Sequence, residues 1–178
     1  MELFKVTESN STIDKKEIYS YIDKTEYSND IKELIRKIIL GVLIPRGDND
    51  INLDFDDLKI ILDHGGIAFI GSGTYEGEDP ATKALKLAIE NSGLDLRLMD
   101  KVSGVLIHFE IHPDLPIMKI YEGMELINKN AHNQAEIIWG TTPEKTLPEN
   151  YAKVTILFTG FNKSHLQIPT KAANLIFV

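Results

Sequence analysis

Residues 51–92 read INLDFDDLKIILDHGGIAFIGSGTYEGEDPATKALKLAIENS, and the changes of hydrophobic period along them decide the fold class. From Asp54 to Asp63 the apolar residues Phe55, Leu58, Ile61 and Leu62 recur at helical spacing, and the glycines after His64 close that helix. The run GIAFIG, residues 66–71, is short, apolar and bounded by turn signals. It predicts a buried strand, followed by a loop over GSGTYEGEDP, residues 71–80. Pro80 suits the start of a helix, and Ala84, Leu85, Ala88 and Ile89 then share one face as far as a stop at Ser92-Gly93.

Working outward, residues 104–112 alternate as a half-exposed strand would. Val105, Ile107, Phe109 and Ile111 face one way; Leu106, His108, Glu110 and His112 face the other, towards water. Ile117, Ile120, Tyr121, Met124 and Ile127 predict a helix over 117–130 with one apolar face. AEIIWGT (135–141) and KVTILFTGF (153–161) are rich in β-branched and aromatic residues. They read as two antiparallel strands joined by a polar loop. Upstream, Tyr27, Ile31, Leu34, Ile35, Ile38, Ile39 and Val42 mark an amphipathic helix that ends near Pro45. The expected order is a polar extension over 1–28, a helix and loop over 29–47, a domain over 48–162 and a tail over 163–178. The expected architecture is α+β, a two-layer sandwich with a mixed sheet of about four strands and helices packed on it.

Composition narrows the function. The chain of 178 residues carries a formal charge of -8, which repels nucleic-acid phosphate and anionic lipid. It has no Cys, so it has no disulfide and no thiol chemistry. The N-terminus lacks the basic and apolar blocks of a secretory signal, and the longest apolar run, IILGVLI at 38–44, is far short of a membrane span. A soluble cytoplasmic protein with no direct membrane insertion is expected.

The concentration of Asn52, Asp54 and Asp57 at a helix start has two readings. Asp54 and Asp57 suit N-terminal capping near the positive end of the helix dipole. Alternatively the three residues converge on a ligand, where ionised carboxylates orient a water or meet a cation better than they abstract a proton. The glycine-rich GSGTYEGED follows a strand and precedes a helix, but it lacks the Lys-Ser/Thr of a phosphate loop, so a glycine-permitted turn is expected. His108, Glu110 and His112 lie on one strand face, which reads as solvated rather than as a metal set. Trp139 and the Met124 face read as core.

Taken in order, N-x-D-F-x-D (Asn52, Asp54, Phe55, Asp57), then G-x-G-x-x-x-G-E-x-x-A (Gly71, Gly73, Gly77, Glu78, Ala81), GVLIHFEIHPDLPIMKIYEGMELI, AEIIWGTT and VTILFTGF resemble the tubulin-like cell-division GTPase family FtsZ. The resemblance covers residues 29–161 and corresponds to part of the central helix and the C-terminal activation domain. The glycine-rich phosphate loop of the family's N-terminal GTPase domain does not occur in this sequence.

The resemblance implies that Asn52, Asp54 and Asp57 act in trans. They would position the attacking water at GTP and Mg held by an adjacent FtsZ-type subunit in a homo- or hetero-polymer. No cofactor and no enzyme activity are expected of the chain alone. Asn29 would match a guanine-contacting Asn, and Ile168-Pro169 is the only trace of the family's partner-docking peptide. Two alternatives are a non-enzymatic regulator that caps filaments and a small-molecule-binding module.

Overall fold

The computed structural model describes residues 23, 51, 53, 55–162 and 175–177. The amphipathic helix expected before Pro45, Asn29, Asn52, Asp54 and the Ile168-Pro169 tail lie outside these residues. The description below concerns the compact unit that contains Ile38–Val178.

Its elements are α1 (Phe55–Asp63), β1 (Ile67–Glu76), α2 (Pro80–Ser92), a 3-10 turn (Leu96–Lys101), β2 (Gly104–Ile111), α3 (Ile117–Asn130), β3 (Glu136–Pro143), β4 (Tyr151–Phe161) and β5 (Leu175–Phe177). The sheet order is β3-β2-β4-β1-β5. β2 pairs with β3 in parallel, and every other neighbouring pair is antiparallel. This is the mixed α+β sheet the pattern predicts, with the short β5 added at the β1 edge.

Three expectations need correction. β3 and β4 run in opposite directions but are not partners, because β2 lies between them. A parallel β2–β3 pair needs a crossover element, which α3 supplies. β4 then returns on the far side of β2, about 10 Å from β3 at the usual strand spacing, a distance the 144–150 connection spans easily.

The second correction concerns Gly71 and Gly73, which lie inside β1 and not in a loop. They pair with Ile156 and Val154 of β4. A Cβ on Gly71 would sit 2.0 Å from the Ala88 carbonyl oxygen, and one on Gly73 would sit 2.4 Å from that of Ala84. Glycine here permits close approach of helix to strand, and the small residues Ala84 and Ala88 supply the matching surface.

The third is His108, which is buried at 3% exposure together with Leu106 at 2%. The supposed solvated face of β2 is covered, because α1 packs against β2 and β3. Alternation along the strands separates two apolar layers. Val105, Ile107, Phe109, Val154, Ile156 and Phe158 join the core beneath α2 and α3. Leu58, Ile61 and Leu106 are buried outside that cluster. Trp139 is half-buried and stands edge-on to Phe109 and Tyr121, while Met124 is buried as expected.

Candidate functional site

The acidic elbow lies where the chain enters α1. Asp56 and Asp57 occupy the first turn of this helix; Asp56 is exposed and Asp57 half-buried. Negative side chains at this end oppose the partial positive charge of the unpaired backbone N–H groups. Of the three residues assigned to the site from sequence, the structure therefore describes Asp57; Asn52 and Asp54 lie outside it.

The described residues that alternate with them are firmly held. The Ile51 N–H donates to Thr141 Oγ1 at 3.1 Å. In return the Thr141 N–H donates to the Ile51 carbonyl at 2.9 Å. Leu53 is buried at 4% exposure. Beneath it Gly140 leaves the space, since a Cβ there would stand 2.5 Å from both the Ile51 oxygen and Leu53 Cγ. The segment entering α1 is thus fastened to β3, which would otherwise present unpaired backbone groups at this position.

The far end of α1 is fastened as well. Thr159 Oγ1 donates to the Ile61 carbonyl at 2.7 Å, and His64 Nε2 meets Glu136 Oε2 at 3.2 Å, linking the helix end to the start of β3. Gly104 clears the way, because a Cβ on it would lie 2.7 Å from His64 Cδ2 and 2.5 Å from Thr159 Oγ1. His64 is thus a tie between elements.

The other constellations do not build a site. His108 Nε2 bonds to Thr142 Oγ1 at 2.9 Å, and Glu110 accepts from Lys153 Nζ at 2.5 Å. His112 Nδ1 accepts from the Asp114 N–H at 3.2 Å. Among the described residues no three His, Cys, Asp or Glu side chains are grouped so as to hold a metal ion. Gly71 and Gly73 are committed to the contact with α2, which removes the phosphate-cradle reading of GSGTYEGED.

Past β1 the chain turns through Gly77 and Asp79, the latter at a left-handed φ of 53°. The Asp79 carboxylate accepts from Lys119 Nζ of α3 at 2.8 Å, and that hydrogen bond, followed by the charge of Lys119, holds its pKa below the ordinary value. Among the described residues no helix is long and apolar enough to cross a membrane.

Sequence reasoning passed over Gly140 and Thr141. The one available signal was AEIIWGTT, a motif quoted for the resemblance but given no task. Its glycine and first threonine are the mount for the elbow.

An α+β domain whose sheet edge carries an acidic approach to a helix defines the class. Residues 66–162 match the FtsZ family, C-terminal domain, and the chain belongs to that family. It is 30% identical over 142 residues to the cell division protein FtsZ of Helicobacter pylori strain J99, covering 79% of this chain and 37% of the relative. With that of Neisseria gonorrhoeae it shares 35% identity over 121 residues, covering 67% and 31%. An empty FtsZ dimer from M. jannaschii is similar at a TM-score of 0.59 and 27% identity, covering 80% of this chain and 43% of that one. The chain spans less than half the length of the relatives it matches.

Proposed function

We propose that this FtsZ C-terminal domain serves in cell division by presenting its acidic elbow to GTP held by an adjacent FtsZ-type subunit. The observation that carries the reading is the mount. Ile51 and Leu53 are fixed against β3 on either side of Asn52, and Asp57 stands in the first turn of the helix that follows.

Carboxylates accept hydrogen bonds from a water and so orient its lone pair. In phosphoryl transfer such positioning, with charge stabilisation from the metal, supplies most of the catalysis. Asp54 and Asp57 are the water-positioning pair, with Asn52 a polar orienter beside the phosphates. GTP and Mg belong to the neighbouring subunit, and the partner is an FtsZ-type chain, in a homo- or hetero-polymer. Neither nucleic acid nor membrane insertion has a part in this reading.

The test uses a full-length FtsZ whose own elbow carboxylates have been replaced, so that it binds GTP but turns it over slowly. Added chain should restore hydrolysis, and Asp54→Asn or Asp57→Asn should lower the restored rate on the order of 100-fold, the cost of a misplaced reactant. Restoration unaffected by Asp54→Asn sinks the catalytic assignment. Shortened polymers with no restored hydrolysis indicate the capping regulator instead.

A further inference from the structure

We infer that Thr141 is a positioning residue for the acidic elbow, with Gly140 as the clearance it depends on; the inference rests on the function proposed above. The two hydrogen bonds between Thr141 and Ile51 are reciprocal. The hydroxyl oxygen takes the Ile51 N–H, and the Thr141 N–H returns a bond to the Ile51 carbonyl. A single bond leaves a segment free to pivot about it. Two bonds through one residue pair fix both where Ile51 lies and how its peptide planes face.

Gly140 adds a third restraint of a different kind, because the Ile51 oxygen and the Leu53 side chain occupy the volume a Cβ would need. Leu53 cannot be lifted without exposing an apolar side chain, nor can it slide along β3 without losing the gap. The elbow is thereby tied to the sheet by a residue just ahead of Asn52 and by another between Asn52 and Asp54.

β3 is a suitable anchor. One residue further on, Thr142 is buried and hydrogen-bonded to the buried His108 of β2. β2 in turn lies inside the sheet between β3 and β4. A displacement of Thr141 is therefore resisted by the sheet as a whole. Thr141 is itself buried at 5% exposure, so its hydroxyl is not available to water as an alternative partner.

Thr141→Val keeps the shape and removes the acceptor; Thr141→Ser keeps the acceptor. In the hydrolysis assay with elbow-deficient FtsZ, Thr141→Val should lower kcat by about tenfold and leave KM for GTP unchanged, because the neighbour holds the nucleotide. Thr141→Ser should restore kcat to within about twofold of the parent chain. Thr159→Val is the matched control. It removes a buried hydroxyl bond at the opposite end of α1 and should lower the melting temperature while leaving kcat intact.

Amide exchange gives a reading independent of partner. In Thr141→Val the Ile51 N–H should exchange about tenfold faster while the last turn of α1 keeps its protection. Unchanged kcat, unchanged Ile51 exchange, or an equal loss of kcat in Thr159→Val each overturns the inference. Failure of the unaltered chain to restore any hydrolysis overturns it together with the proposed function. Restoration by parent and Thr141→Val alike overturns this inference alone.

Discussion

The two faces of the sheet are held by different means. Under α2 the contact is backbone against backbone: Gly71 and Gly73 of β1 meet Ala84 and Ala88 of α2 at distances that admit no further atom. Under α1 the helix buries Leu58 and Ile61, and much of the hold comes from single polar ties at its ends. The first arrangement is rigid and intolerant of change. The second fixes a short helix by a few replaceable bonds and by the clearances at Gly104 and Gly140, and the elbow that carries the acidic residues belongs to it. Under the proposed function, the close-packed contact and the acidic elbow lie on opposite sides of one sheet, and mutations can separate stability from activity.

The largest expected effect is on the close-packed face. Gly71→Val puts a branched Cβ where the Ala88 carbonyl and the Ser92 backbone already stand, so α2 must move off β1. A loss of at least about 3 kcal/mol is expected. In a chain of this size it should appear as a fall on the order of 10 °C in the melting temperature. A Gly71→Val protein that melts with the parent would show that α2 can separate from β1 at little cost, and the contrast would fail.

On the opposite face Ile61→Ala should cost about 2–3 kcal/mol, at the low end for such truncations because α1 is short and can settle into the space. Thr159→Val should cost about 1–2 kcal/mol, since the Ile61 carbonyl loses a buried donor and keeps its desolvation penalty. Amide exchange distinguishes these from the Gly71 variant. Both should raise exchange in α1 while α2 stays protected; loss of protection in both helices would mean the two faces unfold as one unit.

The sequence carried most of the first face and little of the second. Periods of two and 3.6 placed α2, β2 and α3, because each of these elements buries one continuous stripe. Gly71 and Gly73 misled because glycine in a strand and glycine in a turn look alike until the neighbour is known. His108 misled because α1 covers only part of β2, and no alternation in β2 itself reveals a second cover. The acidic elbow was legible as a cluster, and its order relative to the other motifs pointed to the family. Its mount was not legible: Thr141 follows Ile51 by a long stretch of chain, and a hydroxyl that meets a distant N–H leaves no periodic trace.

The smallest expected effect lies at the rim of the packed face, where Asp79 ties the loop before α2 to Lys119 of α3. The Lys119 hydrogen bond, and after it the charges of Lys119 and Lys83, hold the Asp79 carboxyl below its ordinary value of 3.8. A carboxylate whose folded pKa is depressed contributes stability that is complete above the unfolded value and is lost as pH falls through the folded one. The melting temperature of the parent should therefore drop more steeply than that of Asp79→Asn below about pH 4, and the two curves should run parallel at neutral pH. Asn suits the comparison because it tolerates the left-handed backbone that Asp79 adopts. Both partners are partly exposed, and Glu122 also holds Lys119, so the pair is weak and salt-screened. Molar salt should bring the two acid limbs together. Identical limbs at low salt would remove the ion pair from the account of this face and leave the glycine contacts as its fastening.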